Sequence, residues 1–180
     1  MIPFLVGEKI YLRALDPEDA EGNYPHWFND AEVCAGNSHH VTPYSVQDAY
    51  EYIQRVSEAV DCLTLAIVDK FSKAHIGNVS LQDINLLYRS AEFAIVIGDK
   101  KYWGKGYGYE AGKLIINHGF AEMGLHRIAC GTFVTNTGMR KLAEKLGMKL
   151  EGSRRLAAYK NGKWVDVLEY GVLRHEWLIP

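Results

Sequence analysis

The sequence predicts an α+β (α/β) fold: one domain over residues 1–180, with a central sheet flanked by about four helices. Three observations carry this. Segments with the two-residue period of strands alternate with segments of helical period along the chain. A glycine-rich stretch, Tyr102-Trp103-Gly104-Lys105-Gly106-Tyr107-Gly108-Tyr109, stands between an apolar strand and a helix. The chain closes on two strand-like runs around Asn161-Gly162, the pair favoured in two-residue hairpin turns.

From Lys9 to Leu15, Ile10 and Leu12 alternate with Tyr11 and Arg13, which predicts a half-buried strand. It ends at Asp16-Pro17-Glu18-Asp19, where an N-cap, a proline at the first helical position and acids in the first turn announce a helix to about Phe28. A polar loop follows, with Gly36, Asn37, Ser38, His39 and His40. Ser45 caps a second helix that carries Val46, Ala49, Tyr50, Ile53, Val56 and Val60 on one face. Leu63 to Val68, Ile76 to Leu81 and Ala91 to Ile97 read as three strands, the last the most buried. After the glycine loop, a helix buries Tyr107, Ala111, Leu114 and Ile115, and His126 to Val134 forms a further strand. Met139, Leu142, Ala143 and Leu146 make a helical stripe that stops at Gly147. Leu150 to Lys160 and Lys163 to Leu173 form the closing hairpin.

Composition narrows the class. With 48% hydrophobic residues and a formal net charge of −2, the chain reads as a soluble globular protein, and its scattered Lys and Arg residues form no nucleic-acid footprint. Cys34, Cys62 and Cys130 are an odd number without a C-x-x-C pair, as expected of reduced thiols in a cytoplasmic protein. The Met1 to Val6 run is apolar but lacks the basic leader and cleavage site of a signal peptide, and no run reaches membrane-spanning length. A second copy of the chain is an admissible partner.

Glycines at alternate positions free backbone N–H groups just where a helix begins, and a helix N-terminus favours an anion. The ligand expected there carries phosphate. A P-loop would need Ser or Thr after Lys105, where Gly106 stands. A dinucleotide fingerprint would need G-x-G-x-x-G and an acid at the end of the next strand, which ends instead in Gly131-Thr132-Phe133-Val134. The remaining design binds the pyrophosphate of coenzyme A.

At these residues the chain resembles the GNAT superfamily of N-acetyltransferases, with Gly106 and Gly108 in the last two places of its signature and Trp103 in the first, where the family carries Gln or Arg. The Asn136 to Gly147 helix extends the resemblance, while the strand ending Ile95-Val96-Ile97 before the loop, and Leu150-Glu151-Gly152, Asp166-Val167-Leu168 and His175-Glu176-Trp177, resemble the branch that acetylates ribosomal-protein N-termini and polyamines. The resemblance implies a mixed, mostly antiparallel sheet and acetyl transfer to a primary amine by direct attack in a ternary complex, with acetyl-CoA as co-substrate and no metal. It implies that the N–H groups from Gly104 through Lys105, Gly106, Tyr107 and Gly108 to Tyr109 hold the pyrophosphate. It further implies that Ile95, Val96 and Ile97 pair with the pantetheine arm, that Asn136 contacts it, and that Glu92 is the general base. Asn136 also reads as a plain helix cap, and Lys141 and Lys145 as solvated charge.

Acceptor-site candidates are Trp27, Phe28, His39, His40, Tyr44, Tyr159 and Trp164; Asp30, Glu32 and Asp83 are acids within reach of a cationic acceptor. His39-His40 lacks a third metal ligand at a recognisable spacing. Where many family members carry a Tyr or Ser to protonate the leaving thiolate, this chain has Ala143 and Met139, so Tyr109, Tyr159 or water is left for that task. A coenzyme A thiol with a pKa near that of cysteine, about 8.5, does not strictly require a dedicated acid. Cys130 is read as a buried thiol rather than an acyl carrier. Two alternatives stand beside acetyl transfer: a coenzyme A-binding sensor without catalysis, and a nucleotide-binding parallel sheet that the closing hairpin argues against.

Overall fold

The computed structural model describes residues 2–178, so Met1 of the N-terminal apolar run lies outside it. One eight-stranded sheet runs β1-β2-β3-β4-β5-β6-β8-β7 in space. The strands are β1 Leu5–Val6, β2 Ile10–Ala14, β3 Leu63–Asp69, β4 His75–Asn85, β5 Ser90–Ile97, β6 Arg127–Phe133, β7 Lys149–Lys160 and β8 Lys163–Leu173. The helices are α1 Tyr24–Asn29, α2 Val46–Glu58, α3 Tyr107–Ala121 and α4 Thr137–Lys145. Neighbouring strands are antiparallel except β5 and β6, which α3 connects as a parallel pair.

The parallel pair decides where the site lies. Its register holds only at Ser90↔Arg127, Ala91↔Ile128 and Glu92↔Ala129. Beyond Glu92 the strands splay, while β5 stays paired to β4 through Phe93↔Leu81 and on to Ile97↔Gly77. One edge of Phe93–Ile97 therefore has no strand partner, and it borders an open cleft.

Side chains alternate across β5 and separate two cores. Phe93, with Ile95 and Ile97 packed on it, joins the α3 and α4 side, where Ala111, Ile115, Ile116, Phe120, Ala143 and Leu146 are buried. Val96 packs on the other side against Tyr24, Trp27 and Phe28 of α1 and Ala49 and Ile53 of α2.

The local signals explain the boundaries. Ser45 and Asp48 complete a capping box at the start of α2. Gly147 takes φ 75 after α4, and Asn161 and Gly162 take φ 51 and 78, the two positive values a type I′ turn demands. The helix expected from Asp16 to Phe28 is instead broken. A 3-10 turn, Pro17–Glu21, is capped by Asp16, and α1 starts after Asn23. Pro25 explains the break, because a continuous helix would drive its ring against the carbonyl of Glu21 and forfeit a hydrogen bond. Val46 and Val60, expected on the buried face of α2, are exposed at 47% and 95%. Two-residue β1 was not legible as a strand.

Candidate active site

The glycine loop has the backbone its composition requires. Gly104 and Gly106 lie at φ 71 and 87, where L side chains are strained. A Cβ on Gly104 would meet nothing within 4 Å, and one on Gly106 only the Lys9 Nζ at 3.9 Å, so main chain is accessible at both. Gly106 is the N-cap of α3 and offers no side-chain hydrogen bond, which leaves the first α3 amides to an outside acceptor. The Lys9 ammonium donates to the Lys105 carbonyl at 3.1 Å and adds positive charge, while the Lys105 side chain is exposed. These features fit a pyrophosphate: free donors, a helix N-terminus and a cation.

The tyrosines of the loop face elsewhere. Tyr107 donates to Asp69 Oδ1 at 3.2 Å, and Tyr109 lies under the Lys145 ammonium at 4.4 Å. A Cβ on Gly108 would lie 3.7 Å from Ile95 Cδ1 and Ile97 Cγ1, in ordinary van der Waals contact with β5. Trp103 turns back on β5, its Nε1 donating to the Ile97 carbonyl at 2.7 Å. The indole thus closes the end of the free edge.

From that edge the cleft opens into a cavity of about 1030 Å³. Glu92, Phe93, Ala94, Ile95 and Val96 line one wall, and Gly131, Thr132, Phe133, Asn136 and Met139 the other. Desolvation in the cleft pushes the Glu92 carboxyl above its ordinary value; the Gly131 amide opposes this, and Asp83 and Glu169 reinforce it. Such a carboxyl holds a proton more readily than a surface glutamate does.

Asn136 combines two roles. Its Oδ1 accepts from the Met139 N–H at 3.0 Å as a cap, while its Nδ2 donates to the Gly36 carbonyl at 2.9 Å. A Cβ on Gly36 would collide with the Asn136 side chain, so glycine is required at this contact. The segment after α1 is also tied by Lys100, paired with Asp30 at 2.9 Å and Glu32 at 2.8 Å, and by Lys160, which donates to the His39 carbonyl at 2.7 Å. Asp30 and Glu32 are thereby structural anchors rather than open acceptor contacts.

Of the expected acceptor residues, Phe28, His39 and Tyr44 line the cavity. Trp27 does not. It is buried against Gly98, edge-on to His75 at 4.9 Å, and buttresses the end of β5 from behind. Tyr159 is 61% exposed and packs on Trp164, because register shifts in β7 turn Ala157 and Ala158 to the cavity instead. His40 also lies outside the lining, with Nδ1 3.4 Å from the Phe28 carbonyl. Neither Tyr109 nor Tyr159 is a cavity hydroxyl; Tyr24, Tyr44 and Tyr52 are, and burial raises all three, so each stays a protonated donor. Ala143 is fully buried beneath Met139, and burial pushes the Cys130 thiol up to about 12, which makes it inert as a nucleophile.

The sequence reading missed the polar floor. Thr64, Asn78, Ser80 and Gln82 face the cavity from otherwise apolar β3 and β4, and their period of two was the available signal. Behind the floor lies a buried ion pair. Arg13 donates to both oxygens of Asp19 at 2.8 and 2.7 Å, and the His75 ring links Asp19, at 3.1 Å, to Asn78 Oδ1, at 2.8 Å. Burial works to raise the Asp19 carboxyl, but Arg13 and His75 outweigh it and hold it well below the ordinary range. Among the described residues, no three His, Cys, Asp or Glu side chains are grouped to hold a metal, and no helix is long and apolar enough to cross a membrane.

The model of the family described as an acetyltransferase (GNAT) domain matches residues 9–149, from the start of β2 to the start of β7. The chain belongs to this GNAT family. An uncharacterised N-acetyltransferase of Bacillus licheniformis is 28% identical over 177 residues, covering 96% of this chain and 97% of that protein. Spermidine N(1)-acetyltransferase of Escherichia coli K12 is 27% identical, covering 94% and 88%. The crystal structure of spermidine N-acetyltransferase from Vibrio cholerae in complex with CoA and spermine superposes with a TM-score of 0.85 at 26% identity, over 95% of this chain and 99% of that one. Ribosomal-protein-S5-alanine acetyltransferase from Vibrio fischeri shares the fold with a TM-score of 0.84 at 22% identity. The GNAT chain described here is an N-acetyltransferase with relatives in the ribosomal-protein and polyamine branch.

Proposed function

We propose that the protein transfers the acetyl group of acetyl-CoA to a primary amine, of a polyamine, a peptide N-terminus or an amino sugar, by direct attack in a ternary complex in the cytoplasm. The observation that carries this is the continuity of three features: the glycine cradle, the unpaired edge of β5, and a cavity whose wall holds Glu92. When bound, the co-substrate supplies an activated acetyl thioester. The chain supplies the rest. The N–H groups from Gly104 to Tyr109 hold phosphate oxygens, and the free edge from Ile95 to Ile97 pairs with the extended arm, except at the Ile97 carbonyl, which Trp103 occupies. Asn136 holds the arm where it now holds Gly36.

Glu92 accepts a proton from the acceptor nitrogen as the amide forms, and its raised affinity for protons suits that task. His39 and Tyr44 face the acceptor. Spermidine is the acceptor named for the Escherichia coli relative and is the first to test here. Apolar Met139 and fully buried Ala143 favour a second reading, a coenzyme A-binding module without turnover. Thiol release with acetyl-CoA and a panel of spermidine, an N-terminal peptide, an aminoglycoside and an amino sugar, with mass spectrometry of the products, decides between them. Tight acetyl-CoA binding without any acetylated product would defeat catalysis.

A further inference from the structure

Two adjacent histidines follow α1, and the fold puts them in opposite situations. His40 lies in the left-handed region at φ 65, a conformation that costs about 1–2 kcal/mol for an L residue, with its Nδ1 near the Phe28 carbonyl. His39 lines the acceptor cavity, its ring 4.2 Å from that of Phe28, and neither ring nitrogen has a hydrogen-bond partner among the described residues. Its main chain is fixed on both sides, since the Asn37 side chain accepts from its N–H at 2.9 Å and Lys160 donates to its carbonyl. The Asn136 bond to Gly36 holds the same segment. A free imidazole is thus anchored at the cavity that holds Glu92.

His39 is exposed as a residue, but desolvation of its ring pushes the imidazole below its ordinary value, and the Lys160 charge acts in the same direction. The ring is neutral and basic at neutral pH. The Lys160 charge on β7 acts on it directly, and the other charged and titratable groups that line the cavity are Tyr24 on α1, Tyr44 before α2, Asp48, Glu51, Tyr52 and Arg55 on α2, Glu92 on β5 and Arg154 on β7.

The chemistry requires the acceptor nitrogen to shed two protons. A primary alkylamine is an ammonium at neutral pH, with a pKa of about 10, and the first proton must leave before the lone pair can attack. The second leaves as the C–N bond forms and the C–S bond breaks. One proton ends on the departing sulfur, and the other goes to solvent.

We infer that His39 is a second catalytic residue, which takes the first proton from the bound ammonium onto a ring nitrogen and releases it to water, while Glu92 takes the second. In this step an N–H bond of the ammonium breaks and one on the imidazole forms; no other bond changes. Imidazole suits it, since a ring that is neutral at neutral pH can take a proton on a free nitrogen and, holding it weakly, pass it on to water. The assignment rests on the acetyl-transfer function proposed above.

The test uses His39→Gln and His39→Ala with the acceptor of the panel that turns over fastest. At pH 7 the Gln variant is expected to lose about 100-fold in kcat, the low end of general-base effects. The deficit shrinks towards pH 10, where solvent supplies free amine, and added imidazole restores rate to the Ala variant. Acetyl-CoA affinity by calorimetry stays at the wild-type value. In the protein without substrates, the His39 ring proton followed by NMR titrates below 6.5. A deficit constant with pH together with no imidazole rescue, or an unchanged kcat, reduces His39 to a packing residue and overturns the assignment. Absence of thiol release by the wild type with every acceptor is a different result and defeats the acetyl-transfer reading itself.

Discussion

Replacing Gly106 by alanine separates the two tasks of the glycine loop. At φ 87 an L residue is strained by about 1–2 kcal/mol, and at this chain length each kcal/mol moves Tm by about 2–4 °C. A fall of about 2–8 °C is therefore expected. The new Cβ has only Lys9 Nζ at 3.9 Å as a neighbour, so it disturbs no packing and projects where a bound phosphate would approach the main chain. Loss of one hydrogen bond to a charged group is worth about 1.5–3 kcal/mol, which raises the acetyl-CoA Kd by about 10- to 150-fold. The control is Gly112→Ala, further along α3, whose Cβ would lie 2.8 Å from Leu146 Cδ1 and 3.2 Å from Phe93 Cζ. That change strains the core and leaves affinity alone. Calorimetric titration with acetyl-CoA and thermal melts on both variants provide the measurements. A Gly106→Ala protein that melts lower yet binds acetyl-CoA with wild-type affinity would refute the cradle.

Glu92→Gln is expected to reduce turnover about 100-fold with unchanged acetyl-CoA affinity; because Glu92 is raised, the wild-type rate starts to fall with acidity above the ordinary 4.5, and the variant retains only the limb due to His39. Asp19→Asn leaves the Arg13 guanidinium, 4% exposed, without its counter-charge and should cost about 3–5 kcal/mol in chemical denaturation. The Asp19 carboxyl is lowered in the folded state, so its contribution is present above the ordinary 3.8 and lost as pH falls below it; acid titration of stability should show this component in the wild type and not in the variant. Asn136→Ala removes a helix cap worth about 1 kcal/mol and frees Gly36, which should speed limited proteolysis between Gly36 and His40; unchanged cleavage would show that Lys160 and Lys100 suffice to hold the segment.

The parts of the fold legible in the sequence are those set by neighbouring residues. Capping at Asp16 and Ser45, the stop at Gly147 and the turn at Asn161-Gly162 depend on backbone preferences within a few positions, and each stands where its residues place it. The split before α1 is also local in origin, since Pro25 bars a continuous helix from Pro17 whatever the tertiary surroundings. For the site, the loop geometry at Gly104 and Gly106 was readable because positive φ is a property of glycine itself. The failures of Trp27 and Tyr159 have another origin. An aromatic residue is equally suited to a core and to a pocket, and only packing against Gly98 or a shifted register in β7 assigns it to one.

The order of elements, the anion cradle at the start of α3 and the acid Glu92 in an apolar strand follow from neighbouring residues alone. What these add up to depends on how distant strands and loops meet. The pairing of β5 with β6 ends at Glu92, and that splay, a matter of residues 37 positions apart, creates the free edge and the cavity. The bond from Asn136 to Gly36 spans 100 positions and brings His39 to that cavity. The cradle is written in local backbone preference, whereas the acceptor chamber exists only through contacts between distant segments.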